Sequence, residues 1–184
     1  MRKRRAAKVA TSLIRGRFNM KYRVGIITLS DKGAAGQRTD ESGPLIRRML
    51  EEDGRYCVEK EVILSDDYEG LVSQLTRMAD EEGVELILTT EGTGFSPRDN
   101  TPEATMAVAT KNAPGIAEYM RAKSFEITPK GMLSRGVSVI RNRTLIINLP
   151  GSPKAVRENL GFILPALDHG LEILLGRGGE CGQK

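Results

Sequence analysis

Tryptophan is absent from this chain, histidine occurs once and cysteine twice. Cys57 and Cys181 have neither the paired spacing of a metal site nor the number of a disulfide framework, so both are read as reduced thiols. One histidine without a cysteine pair leaves no zinc ligand set. That histidine, His169, falls in an apolar helical pattern and is assigned to packing or capping, which leaves no base for a Ser-His-Asp relay. No apolar run is long enough to span a bilayer. The first 20 residues contain no acidic side chain and no long apolar segment, which excludes a secretion signal. Together these absences predict a cytoplasmic protein with no membrane partner.

What is present fits one domain. A chain of 184 residues can bury a sizeable core but is too short for two ordinary domains. Its 39% hydrophobic and 28% charged residues match a soluble globular protein, and its 20 glycines point to a loop-rich α/β fold. The formal charge of +4 is concentrated in Arg2, Lys3, Arg4, Arg5, Lys8, Arg15 and Arg17. Without them the chain is close to neutral. Such a cluster can bind nucleic acid or an anionic membrane. The preferred reading is a disordered leader over 1–20, with a start upstream of a true one at Met20, so nucleic acid is not taken as a partner. Residues 21–176 form the predicted domain and 177–184 a flexible, glycine-rich tail.

Along the domain, Tyr22–Leu29 reads as a strand, and Val58–Leu64 as an outer strand with imperfect alternation. A helix begins near Asp40 and buries Ile46, Met49 and Leu50; another carries Leu71, Val72, Leu75, Met78 and Ala79. A short helix over Ile116–Phe125 precedes a hairpin, Val137–Ile140 and Thr144–Leu149, turned by Arg141–Arg143. The last helix places Val156, Leu160, Ile163, Leu164, Leu167, Leu171 and Leu174 on one stripe. Pro165 within it predicts a kink or break.

The stretch Leu86–Thr105 organises the rest. Leu86–Leu88 followed by Thr89 and Thr90 suits a central strand of a parallel sheet. Gly92 and Gly94 let the backbone turn and approach a ligand, with the Thr93 hydroxyl between them. Thr101 is a candidate N-cap, Pro102 fits the first helical turn and Glu103 the positive end of the dipole. Loop and helix start together suit phosphate. Arg98 can clamp phosphate and Asp99 can hold the divalent cation of a nucleotide; the plain alternative is an Arg98–Asp99 ion pair. Other strand ends carry Ser30-Asp31, Ser65-Asp66-Asp67 and Asn148-Leu149-Pro150-Gly151-Ser152-Pro153, each able to serve a ligand or merely to shape a turn or cap a helix.

The string Thr89-Thr-Glu-Gly-Thr-Gly-Phe-Ser-Pro-Arg-Asp-Asn-Thr-Pro-Glu-Ala-Thr105 resembles the signature of the MogA/MoaB family of molybdenum-cofactor biosynthesis. The family reads Thr-x-Gly-Gly-Thr-Gly, and this chain has Glu91 at the first glycine. A carboxylate there repels phosphate, points away or helps hold a metal, and these readings stay open. Leu133-Ser134-Arg135 and Asn148-Leu-Pro-Gly-x-Pro153 resemble further family motifs, and the likeness runs from about Tyr22 to about Leu175.

The resemblance implies a three-layer α/β/α sandwich with a mostly parallel sheet. It implies a molybdopterin adenylyltransferase, which joins AMP from MgATP to the terminal phosphate of molybdopterin and releases pyrophosphate. Asp66 matches an aspartate implicated in catalysis, with Asp67 next if the alignment slips. Asp66 and Asp99 are then the candidates to hold magnesium and orient the reacting groups. Their work is electrostatic, since the attacking phosphate is already ionised. Ser30, Asp31, Gly92, Thr93, Gly94, Arg98, Thr101, Ser134, Arg135, Asn148, Pro150, Gly151 and Pro153 are the expected substrate or nucleotide contacts. A homotrimer and transfer to a downstream molybdate-insertion protein are also implied. The alternatives are a MoaB-type paralogue that binds molybdopterin with little or no transferase activity, and a non-catalytic module that binds through its basic leader.

Overall fold

The apolar runs become strands of one six-stranded sheet. The computed structural model describes residues 21–37 and 39–177, so the basic leader and Cys181 lie outside the described residues. The first elements are β1 (Tyr22–Leu29), a one-turn helix α1 (Asp31–Ala34), α2 (Ser42–Asp53), β2 (Tyr56–Leu64), α3 (Tyr68–Thr76) and β3 (Leu86–Thr90). They are followed by α4 (Thr101–Ala107), β4 (Lys111–Asn112), α5 (Pro114–Ile127), β5 (Ser138–Arg141), β6 (Thr144–Leu149) and α6 (Pro153–Leu175). A π-helical segment, Arg77–Glu81, prolongs α3, and a 3-10 helix, Pro129–Leu133, follows α5.

The strand order is β2-β1-β3-β6-β5-β4, in which β2, β1, β3 and β6 are parallel while β5 and β4 join antiparallel. Every residue of β3 and β6 is buried, as strands covered on both faces require. Alternation along the strands sends Val24, Ile26, Leu86, Leu88 and Ile147 to one face, where they meet Ile46 and Leu50 of α2, Met120 of α5 and Leu160 and Leu171 of α6. Ile27, Ile87 and Ile146 face the other way, against Leu71, Leu75, Met78 and Ala104. The result is the expected three-layer α/β/α sandwich. Burying one such Leu or Ile fully contributes about 1.5–3 kcal/mol, which is why the apolar stripes dictate the layers.

Three expectations are corrected. α6 runs unbroken through Pro165. The expected break is therefore absent, and the buried Leu160, Ile163, Leu167 and Leu171 on either side of Pro165 hold the helix on the sheet. His169 is exposed on α6 and packs into no core. Arg177, assigned by composition to the tail, is anchored: its guanidinium pairs with Glu85 and lies 5.7 Å from the Tyr22 ring centroid.

Candidate active site

Register brings the predicted site together. Leu29 lies level with Leu64, Thr28 with Thr90, and Thr90 with Leu149. The segments that follow β1, β2, β3 and β6 therefore leave the sheet along one edge, around the point between β1 and β3 where the connections diverge. Open α/β sheets bind ligands there.

At this edge the Asp66 N–H donates to Asp31 Oδ1 at 3.1 Å, and Arg98 pairs with Asp31 at 2.5 Å. Arg98 thus reaches across to the β1 loop rather than to its chain neighbour Asp99. Burial raises the Asp66 pKa above the ordinary carboxylate value, and the charges of Asp31 and Asp99 push the same way, while Arg98 opposes them. Asp31, Arg98 and Asp99 are therefore each within electrostatic reach of Asp66. Asp67 is spent elsewhere: its carboxylate accepts from Gly70 N–H at 2.6 Å and caps α3. Of the two adjacent aspartates, Asp66 is the one placed beside Asp31. Ser30 caps α1, accepting from Gly33 N–H at 3.1 Å.

The glycine loop has two successive residues in the left-handed region, Glu91 at φ 78° and Gly92 at φ 66°. A Cβ at Gly92 would collide with the Thr101 hydroxyl, so that position needs glycine for space as well as for conformation. Thr101 is the first residue of α4 rather than its cap. Its hydroxyl donates to the Glu91 carbonyl at 3.1 Å and its N–H to the Gly92 carbonyl at 3.2 Å, which fastens the helix start to the loop. The Glu91 side chain leans on Gly151, where an added Cβ would sit 2.8 Å from Glu91 Cγ. It lines a shallow hollow with Thr28, Ser30, Asp40 and Ser42. Asp99 folds back on its own loop, accepting from Ser96 N–H at 3.1 Å; a Cβ at Gly94 would lie 2.8 Å from its Oδ2.

A cleft of about 200 Å³ opens beside the loop between α5, the 3-10 helix and the start of α6. Ser134, Asn148 and Pro150 of the predicted set line it, together with Arg121, Ser124 and Lys130, which sequence reading did not single out. One signal for two of these was present. Ala117, Met120, Arg121 and Ser124 share a helical face, so Arg121 and Ser124 break an apolar stripe that had no need of polar groups. Arg121 donates to the Gly136 carbonyl at 2.6 Å, and the Ser124 hydroxyl to Asn159 Oδ1 at 3.2 Å.

Two predicted contacts have their polar atoms committed within the protein. The Asn148 amide donates to the Thr89 and Thr105 hydroxyls, each at 2.9 Å, and accepts from Val137 N–H at 3.1 Å. Arg135 donates from Nε to the Gly94 carbonyl at 2.7 Å and from its two Nη groups to the Asp99 carbonyl and the Glu103 carboxylate. Pro150 and Gly151 tie the β6 turn to its surroundings, their carbonyls accepting from Thr90 at 2.8 Å and Ser42 at 2.7 Å. Pro153 occupies the first turn of α6 behind the Ser152 cap.

Residues 25–169 match the family model described as "Probable molybdopterin binding domain". The chain belongs to this family. Within it, the chain is 38% identical over 162 residues to the molybdopterin adenylyltransferase of Helicobacter pylori J99, covering 88% of this chain and 92% of that one. It is 39% identical to gephyrin of Dictyostelium discoideum, of which it spans only 23%. Among solved structures, the molybdopterin biosynthesis enzyme MoaB of Thermus thermophilus superposes with a TM-score of 0.80 at 46% identity, over 84% of this chain and 97% of that one. The likeness to MogA and MoaB drawn from the sequence motifs is borne out.

Proposed function

We propose that this protein is a molybdopterin adenylyltransferase. One observation carries the reading: the glycine loop, the start of α4 and the Asp31–Asp66–Arg98–Asp99 group share one sheet edge with a cleft that Ser124, Lys130 and Ser134 line. Relatives bearing that name at about 40% identity support it.

The cleft takes the pterin, with Ser124 and Ser134 as neutral hydrogen-bonding groups and Lys130 facing anionic oxygens. The loop's N–H groups and the α4 start receive the nucleotide phosphates. An oxygen of the pterin's terminal phosphate attacks the α-phosphorus of ATP; the bond between that phosphorus and the bridging oxygen breaks, and pyrophosphate leaves. The protein positions the two phosphates in line and sets the charges around them.

Among the described residues, no three acidic, histidine or cysteine side chains gather into a metal cage. Magnesium needs only one or two carboxylates, because it keeps waters and substrate phosphates as its other ligands. Asp66 and Asp99 would hold it. Magnesium bound there would offset charge that builds on the phosphates.

The protein acts in the cytoplasm as a homotrimer and passes its product to a molybdate-insertion protein. Large apolar side chains exposed at the end of α5 and in the 3-10 helix, Phe125, Ile127, Met132 and Leu133, support self-association. A second reading is a molybdopterin-binding paralogue with little transferase activity; Glu91, strained at the loop, is the observation that favours it.

Purified protein given molybdopterin and MgATP should release pyrophosphate and form adenylylated pterin. Asp66→Ala and Asp99→Ala should each lower kcat about 100-fold or more. Tight pterin binding without turnover in the parent protein would instead establish the paralogue reading.

A further inference from the structure

The family resemblance makes Arg135 an expected substrate or nucleotide contact, yet the folded chain commits it to the protein. Its backbone N–H donates to the Thr93 carbonyl at 2.9 Å. Its Nε donates to Gly94, one Nη to the Asp99 carbonyl and the other to Glu103 on the first turn of α4. One residue thus grips the loop at both ends and the helix behind it. The other ties on the loop run elsewhere: Arg98 pairs with Asp31 beside β1, and Thr101 fastens the α4 start to Glu91 and Gly92. The Ser96 N–H meets Asp99 Oδ2 and the Asp99 N–H meets Ser96 O, and neither fixes where the loop sits relative to the cleft. Arg135 does, since the preceding residue, Ser134, lines that cleft.

We infer that Arg135 is a positioning residue, which registers the loop carrying Asp99 against the pterin cleft and binds neither substrate itself. The inference rests on the transferase reading for its consequence in catalysis. A planar guanidinium satisfies three diverging acceptors at once, and a lysine ammonium at the end of a flexible stem does not hold the same fork. Displacing a reacting group by about 1 Å costs on the order of 100-fold in rate. The effect should therefore fall on kcat and leave pterin affinity alone.

The full chain should be compared with Arg135→Lys and Arg135→Ala by amide hydrogen exchange without substrates, by pterin titration and by transferase kinetics. The inference expects faster exchange confined to residues 93–101, a pterin Kd within about twofold of the parent, and kcat lower by about 100-fold in both variants. Unchanged exchange over that segment overturns it, and so does a collapse of pterin affinity, which would make Arg135 a ligand. The exchange and binding measurements need no turnover, so a parent without transferase activity would sink the functional reading while leaving the positioning claim to be decided on its own.

Discussion

Glu91 holds a backbone conformation, φ 78°, that suits glycine, the residue the family signature carries at that position. A non-glycine residue in the left-handed region costs about 1–2 kcal/mol. Glu91→Gly should accordingly raise stability by about 1 kcal/mol, seen as a melting temperature higher by about 2–4 °C; an unchanged or lower value would mean that the side chain's contacts on Gly151 outweigh the strain. Asp66 makes a second claim at this scale. Its pKa is raised first by burial and then by Asp31 and Asp99, so the acid limb of kcat/KM should lie above the ordinary carboxylate value of 3.8. Asp31→Asn removes a neighbouring negative charge and should move the limb to lower pH. Arg98→Gln removes the opposing cation and should move it to higher pH. Shifts in the same direction would show that Asp66 does not set the limb.

At the scale of elements, Asn148 shows how the site edge is held. Its amide joins β6 to β3 through Thr89, to α4 through Thr105 and to the start of β5 through Val137. Asn148→Ala leaves a partly buried N–H and two buried hydroxyls short of a partner and should cost about 3 kcal/mol in urea unfolding; a loss below about 1 kcal/mol would show that the neighbours re-pair. The elements themselves were largely legible in the sequence. The apolar run Leu86–Leu88, the Ser152-Pro153 helix start and the Leu160–Leu171 stripe each declare their structure through local physics. The two-residue strand β4 was not legible, because it exists only through its pairing with Val139 and Ile140. The partners of Arg135 and Arg98 were hidden for a related reason. A long cation chooses among acceptors that only the fold brings near, so Arg98 found Asp31 instead of the adjacent Asp99. Pro165 raised the expectation of a break because local physics takes no account of the sheet on which Leu160, Ile163, Leu167 and Leu171 are buried.

For the molecule as a whole, the apolar side chains at the end of α5 and in the 3-10 helix are too exposed to belong to the core, with Met132 at 58% and Phe125 at 51%. They lie next to the segment that lines the cleft, so the surfaces proposed for assembly and for substrate binding are neighbours. Sedimentation equilibrium should give three times the chain mass, and Phe125→Asp combined with Met132→Asp should give monomers. A monomeric parent protein would remove the trimer from the proposal.

The sheet order also bears on how the chain comes to be folded. β3 is complete once residue 90 has been made, but one of its two neighbours is β6, and Thr89 and Asn148 stand 59 residues apart. Pairings across so long a span close slowly. Until β6 arrives, β3 presents an uncharged hydrogen-bonding edge of Leu, Ile and Thr, the kind of edge that recruits other chains. The same strand ends in the glycine loop, so the centre of the site is among the last parts of the protein to be set in place, and nascent chains are most prone to aggregate in the interval before it is.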